Sequence, residues 1–391
     1  MTIIFFDDQS RESLFPLTFT RPVADLRIGI LKISEKWTKL FEGETSYLTA
    51  DYLQVKFPLI NSEQQLYING SICPTKELVN SLKNLKEGEV LKHGEICVGA
   101  KSILKVSSFK ELESLEQVVF DGDLFQICYP EDVFKNNDRE IRADFQLITA
   151  GRVSKKLSQT NTVIGDEIFV EEGVQAECCS FNTQNGPIYL GKNAQVWEGT
   201  HIRGALALCH DAQIKMGAKI YGATTIGPYS RVGGEINNSV IWGNSSKGHD
   251  GYLGNAVLGE WCNIGADSNN SNLKNNYAEV KLWDYATERF RKTGLQFCGL
   301  IMADHAKCGI NTMFNTGTVV GVGANVFGTG FPRNFVADFA WGGPHGFEVY
   351  TLNKMFETTA KVFERRNKEF DQTEKDILTE LFNQTEKYRR F

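Results

Sequence analysis

The sequence predicts two architectures in one chain: an α/β layer domain, then a parallel β-helix, with two helices after it. Three observations carry this expectation. Most of the 36 glycines lie beyond residue 150, against nine prolines in the whole chain, so the composition changes partway along. An apolar residue recurs at every sixth position through Leu190, Val196, Ile202, Leu208, Ile214, Ile220, Ile226 and Val232. That period matches neither the 3.6 of a helix nor the 2 of a simple strand. Residues 351–391 then return to helical spacing.

In chain order, β-rich runs at 2–6, 66–68 and 118–120 alternate with helical stretches such as 109–115, the mixture of a layered α/β domain. At about 150 residues per domain, 391 residues make two or three domains. The polar stretch 151–162 reads as a linker. The expected domains are therefore 1–152, 160–345 and 350–391. In the second, the six-residue period also runs through Ile164, Val170 and Ala176, and later through Met302, Cys308, Phe314, Val320 and Val326. Four residues after each apolar position comes a small one, such as Ala194, Thr200, Ala212, Ala218 and Ala306, with breaks at Leu206 and Ile236. Short flat strands joined by tight corners satisfy this pattern, each aliphatic side chain pointing inward to stack on those of the coils above and below. The period is lost between about 237 and 300, where we expect loops leaving a corner, the usual seat of function. In the third segment Leu352, Met355, Phe356, Val362 and Phe363 share one helical face, Ile377, Leu378, Leu381 and Phe382 another, and Thr373 with Asp376 forms a capping-box pattern.

The charge balance, 42 Lys plus Arg against 48 Asp plus Glu, gives a net charge of -6 and no broad electrostatic reason to bind nucleic acid or an anionic membrane. No run of about 18 apolar residues exists, and MTIIFFDDQSRE is unlike a signal peptide, so a soluble, cytoplasmic protein is expected. The nine cysteines are scattered, with no Cys-x-x-Cys pair, so neither a disulfide framework nor a zinc site is expected.

Within the interrupted region stands Ser245-Ser246-Lys247-Gly248-His249-Asp250-Gly251-Tyr252-Leu253-Gly254, followed by Asn263-Ile264-Gly265-Ala266. This resembles the hexapeptide-repeat acetyltransferase half of the bifunctional N-acetylglucosamine-1-phosphate uridyltransferase/glucosamine-1-phosphate acetyltransferase (GlmU-type) family, in a divergent branch. The resemblance implies a left-handed β-helix, acetyl-CoA as acyl donor, an amino-sugar 1-phosphate as acceptor, and a homotrimer that places acetyl-CoA between neighbouring β-helices. It implies His249 as general base, Tyr252 binding the sugar phosphate or polarising the thioester carbonyl, and Asn263 orienting the sugar. The residues agree with that chemistry. An amine attacking a thioester must lose a proton, and a His with an ordinary pKa of about 6.5 suits the task. The family's basic residues upstream of the His are missing, since 235–239 reads Glu-Ile-Asn-Asn-Ser. Arg231 and Lys219, one and two coils earlier, and the adjacent Lys247 are the candidates to hold the phosphate. Asp304-His305 offers a second base.

At the amino terminus the resemblance is to divergent sugar nucleotidyltransferase-like domains. The Gly-rich turn that cradles triphosphate in that family is replaced by Phe5-Phe6-Asp7-Asp8-Gln9-Ser10-Arg11. Arg11, in front of Leu14-Phe15-Pro16-Leu17-Thr18, and Arg21 are the expected phosphate ligands, by bidentate contacts. Asn69-Gly70 and Asp121-Gly122-Asp123 are candidates to contact sugar or Mg²⁺, the latter needed only where the domain is catalytic. The function expected is N-acetylation of an amino-sugar 1-phosphate in nucleotide-sugar biosynthesis. The alternatives are a sugar-phosphate nucleotidyltransferase whose β-helix only oligomerises, and a non-catalytic nucleotide-sugar-binding β-helix.

Overall fold

The computed structural model describes residues 1–103 and 105–391, which form two compact units: 1–26 with 31–129, and 27–30 with 130–391. The first unit is built on a six-stranded mixed sheet. Its centre is the buried strand Thr2–Phe6, hydrogen-bonded in parallel to Glu44–Leu48 on one side and to Gln65–Asn69 on the other. Ile96–Lys101, Glu89–His93 and Glu116–Val119 complete the sheet. Helix Lys76–Lys83, capped by Thr75 through the Leu78 amide, buries Leu78, Val79 and Leu82. The strand runs at 2–6, 66–68 and 118–120 are thus largely strands, and 109–115 is a 3-10 turn, Phe109–Ser114.

The second unit is a three-sided parallel prism with faces of six, nine and ten strands, the last closed by the antiparallel pair Ala340–Gly343 and Gly346–Val349. All eight apolar residues from Leu190 to Val232 lie in one buried core column, as do Met302, Cys308, Phe314, Val320 and Val326. Burying each such side chain contributes about 1.5–3 kcal/mol, so the six-residue period is the dominant instruction for this unit. Ile164 is 42% exposed, because its strand is the last of its face and has no coil beyond it.

The interrupted region differs from expectation. The coils continue, with Ile236, Ile241, Leu253, Leu258 and Ile264 all in the same core. Two things hide the repeat. Some steps shrink to four or five residues, and Lys247 occupies an inward position, in register with Val232. The break at Ile236 has the same origin. Gln213 pairs with Arg231, eighteen residues on, whereas Arg231 pairs with Ser246, only fifteen on, so the corner Gly233-Gly234 brings the next inward residue forward. A real excursion is confined to 271–299 and carries the antiparallel hairpin Lys281–Asp284/Arg289–Lys292.

Helices Pro130–Lys135 and Asn137–Thr149, which composition groups with the first 152 residues, belong to the second unit. Asn137 accepts the Gly29 amide at 2.8 Å and donates to the Ala223 carbonyl at 3.0 Å, while the Asp144 carboxylate accepts the Ile30 amide at 2.8 Å. Thr225 donates to the Gly29 carbonyl and Trp242 to that of Arg27. Buried polar groups without partners cost several kcal/mol, so this network ties segment 27–30 to the prism. Helices Leu352–Glu364 and Gln372–Gln384 follow, burying Met355, Thr359 and Phe363 from one and Ile377, Leu378 and Leu381 from the other. The second is capped by Asp371, which accepts the Glu374 amide at 2.9 Å, so Thr373 lies inside the first turn rather than at the cap. Seven of the nine cysteines are buried and none is in a disulfide. Among the described residues no helix is long and apolar enough to cross a membrane.

Candidate active site

The short corner at Gly233-Gly234 lies beneath one of ordinary length, Gly248-His249-Asp250-Gly251. Glu235 pairs with Tyr252, seventeen residues on, while Arg231 and Ser246 are fifteen apart; the upper corner is thus two residues longer than the one beneath it, and it carries the exposed His249. The result is an open cleft of about 550 Å³ whose wall includes Trp197, Lys215, Gly234, His249, Asp250 and Asp267. Adjacent coils are about 4.8 Å apart. The cleft therefore runs along the prism axis, from Trp197 and Lys215 on the earlier coils, past His249, to Asp267 on the next. Its two ends differ in charge. Lys215 marks one, and the carboxylates of Asp250 and Asp267 lie at and beyond His249.

Lys247 shapes this corner from inside. It is 2% exposed, and its ammonium donates to the carbonyls of Gly233 at 2.9 Å and of His249 itself at 2.7 Å. Burial, opposed by Asp250 and Asp267, pulls it down to about 8. Lys247 is thus a tie that holds the His249 loop to the coil beneath, not a ligand on the surface. Gly234 makes room for it. At φ +73, a Cβ there would lie 2.8 Å from Asp250 Cα and 2.9 Å from Lys247 Nζ, so the corner requires glycine. Two strands further along the same face Lys307, in the outward register of Asn263, ties another corner by donating to the His305 carbonyl at 2.9 Å, and burial draws it to about 8 as well.

The other predicted residues separate into two groups. Tyr252 and Asn263 do not line this cleft. The Tyr252 ring lies over Gly254, where a Cβ would meet its hydroxyl at 2.3 Å, and the hydroxyl accepts from Asn272 Nδ2 at 2.9 Å. That contact accounts for the Tyr-Leu-Gly spacing. Asn263 is exposed on the outer side of its strand, in register with Ser246 and Lys307. Arg231 is exposed on the same face. Lys219 is paired with Glu235 at 3.6 Å. His305 is 5% exposed, its ring parallel to that of Phe363 from the carboxy-terminal helices, and Asp304 accepts the Glu260 amide at 2.7 Å, so both are packed into the structure. Sequence reasoning missed two residues of the cleft wall, Trp197 and Lys215, whose ammonium sits 3.6 Å above the Trp197 ring, and it missed that Arg366, in the turn after Leu352–Glu364, reaches the prism, where it donates to the Tyr229 carbonyl at 2.8 Å. Only Lys215 left a trace in sequence, as a cation directly after an inward repeat position.

In the first unit a second cleft, of about 270 Å³, opens at the ends of Thr2–Phe6 and Gln65–Asn69. Asp8 organises it, accepting from the Ser10 amide at 2.9 Å and hydroxyl at 2.5 Å, from Asn69 at 2.8 Å and from Gln126 at 3.0 Å. Glu95, Glu113 and Lys110 also line it, whereas Arg11 and Arg21 do not. Arg11 lies 3.3 Å from Asp7 and donates to the Thr18 carbonyl and the Tyr52 hydroxyl. Arg21 is 5% exposed and paired with Asp25 at 3.3 Å. These arginines spend their charge internally. Asp7 is pushed up to about 6, burial outweighing Arg11 and the donors Thr49 and Val23. Asp121 and Asp123 are exposed and outside the cleft. Among the described residues no group of three His, Cys, Asp or Glu side chains converges as metal ligands, and both Asp8 oxygens are already hydrogen-bonded. The donor set therefore does not fit Mg²⁺.

Residues 3–153 match the sugar nucleotidyl transferase family model. The chain is similar to two archaeal proteins called Bifunctional protein GlmU. It is 26% identical to that of Methanococcus aeolicus over 258 residues, covering 64% of this chain and 53% of the relative. To that of Methanocaldococcus jannaschii it is 32% identical over 87 residues, covering 22% and 21%. The chain thus spans about half or less of the length of these relatives. Among solved structures, an N-acyltransferase of Bacillus cereus, AntD, crystallised with dTDP and coenzyme A, is similar at 11% identity over 54% of this chain and 87% of that one, TM-score 0.22. An Arabidopsis UDP-N-acetylglucosamine acyltransferase is similar at 15% identity over 60% and 91%, TM-score 0.23. At such scores these likenesses add nothing to the fold already read from strand pairing.

Proposed function

We propose that the second unit transfers an acetyl group from acetyl-CoA to the amine of an amino-sugar 1-phosphate, with His249 as general base. The observation that carries this reading is the position of His249, exposed on the corner directly above the short Gly233-Gly234 turn, in a cleft cationic at one end and anionic at the other. A substrate bearing both an ammonium and a phosphate complements that polarity. Asp250 and Asp267 attract the ammonium, and His249 takes its proton. The free amine attacks the thioester carbonyl, the N–C bond forms, the C–S bond breaks, and the sulfur leaves as thiolate, which takes the proton the attacking nitrogen sheds and becomes the free thiol of coenzyme A. Lys247 keeps the imidazole in place through its own carbonyl and touches no substrate. Tyr252 and Asn263, which face outward away from this cleft, contribute in a trimer to a site completed by a neighbouring copy, and the prism faces are the surfaces through which a closed three-fold ring forms.

The match of residues 3–153 to sugar nucleotidyl transferases supports a second, narrower role. The first unit binds the sugar or base portion of a nucleotide sugar through Asp8, Asn69 and Gln126. Its lining, two glutamates and Asp8 against Lys110, disfavours a triphosphate. The deciding assay is acetyl-CoA turnover by the full chain with glucosamine 1-phosphate as acceptor, following free thiol. Release that depends on the amino sugar supports the reading; none above background with any hexosamine 1-phosphate removes it.

A further inference from the structure

Three cations meet where the carboxy-terminal helical hairpin touches the prism. Lys215 stands at the end of the His249 cleft, its backbone amide bonded to the Val232 carbonyl at 2.8 Å. Arg231 projects from the neighbouring strand, in register with Gln213. Arg366 reaches the same place from the hairpin turn, held by its bond to Tyr229, two residues before Arg231. Their hydrogen-bond acceptors are neutral oxygens: Gln213 Oε1 for Lys215 at 3.1 Å and the Tyr229 carbonyl for Arg366 at 2.8 Å. Among the described residues none of the three forms an ion pair with a carboxylate. Burial lowers both Lys215 and Arg366, and each is close enough to its neighbours for them to add to this, Arg231 and Arg366 on Lys215 and Arg231 and Arg365 on Arg366. Lys368, from the same turn, lies over the Tyr229 and Trp261 rings at 5.5 Å. Like charges held together without counter-charge are destabilising by themselves, and an exposed surface offers them every opportunity to part. Two of them are fixed by hydrogen bonds instead.

We propose that Lys215, Arg231 and Arg366 form a phosphate-binding patch at the cationic end of the His249 cleft, and that the hairpin turn is therefore part of the ligand site. Guanidinium forks grip phosphate bidentately, and an ammonium supplies a point charge. The patch is assembled from residues 135 positions apart in sequence, between Arg231 and Arg366, and supplies the cations missing just upstream of His249. Whether the phosphate is that of the acyl acceptor or one carried by coenzyme A rests on the acyl-transfer reading; the existence of the patch does not.

The test is calorimetry at low salt on the full chain, with pyrophosphate as the probe of the patch. Arg231→Gln and Arg366→Gln should each weaken pyrophosphate binding about tenfold or more, the scale of a lost charge-assisted contact. Arg366→Lys, which keeps the charge but loses the fork, should recover only part of it, and the urea midpoints should be unmoved. Two matched pairs then name the source: glucosamine 1-phosphate against glucosamine, and coenzyme A against 3′-dephospho-coenzyme A. The pair whose phosphate advantage disappears in Arg366→Gln identifies the ligand. Pyrophosphate that fails to bind wild type, or binds the glutamine variants equally well, overturns the patch. Should acetyl transfer be absent and neither pair show an advantage, Arg-dependent pyrophosphate binding still upholds the patch while the acyl-transfer reading falls.

Discussion

Replacing Lys247 with methionine keeps the unbranched apolar stem, one atom shorter, and removes a buried cation from the inward column of the prism. An ordinary lysine titrates near 10.4, and burial draws this one to about 8. Below pH 8 both folded and unfolded chains hold the proton, so Lys247 adds no slope to stability. Between pH 8 and 10.5 the unfolded chain holds the proton and the folded one does not, so wild-type stability rises with pH, by about 3 kcal/mol across the window. Lys307 adds a rise of the same sign, which the variant retains. The informative quantity is therefore wild type minus Lys247→Met, from urea unfolding at pH 7 and pH 10. At pH 7 the variant escapes the cost of a buried charge but leaves the Gly233 and His249 carbonyls without their donor, each about 1–3 kcal/mol, so the net change there is small. At pH 10 the wild type gains and the variant does not, so the difference between them shifts by about 2–3 kcal/mol in favour of wild type. A difference that stays constant from pH 7 to pH 10 refutes Lys247 as a buried, titrating tie. Because the tie holds the His249 carbonyl, kcat should fall in the variant while KM for the acyl acceptor moves less.

His249→Ala should lower acetyl transfer about 100-fold or more, the scale of a lost general base, with an unchanged urea midpoint because the side chain is exposed; wild-type turnover by the variant would remove the assigned base. Gly234→Ala, at φ +73 and against Lys247 Nζ, should cost about 2 kcal/mol or more of stability and disturb turnover together with folding, read from thermal unfolding beside the turnover assay. Arg11→Ala should destabilise the first unit by about 2–3 kcal/mol, since it strips the buried Asp7 of its cation. Calorimetry with UDP-N-acetylglucosamine should show the folded variant binding as wild type does, whereas a selective loss of affinity would return Arg11 to a ligand role.

The six-residue period determined the prism by itself. Every inward aliphatic from Leu190 to Val232 sits where its spacing puts it, because hydrophobic stacking in a coil is decided locally, by which side of a short strand a residue occupies. The motif around His249 was equally legible, as a contiguous string. What sequence could not decide is phase. Removing two residues at Gly233-Gly234 changes which later residues point inward, so Ile236 read as an irregularity and Lys247 as a surface cation, when the tertiary structure puts both inside. Convergence was equally out of reach. Arg11 and Arg21 look available for phosphate until Asp7 and Asp25 are seen beside them, and Arg366 looks like any helix-end arginine until the hairpin lays it against Tyr229. A charge is free or spent according to what the folded chain brings within a few ångströms of it, and that distance is set by packing between elements, not by spacing along the chain.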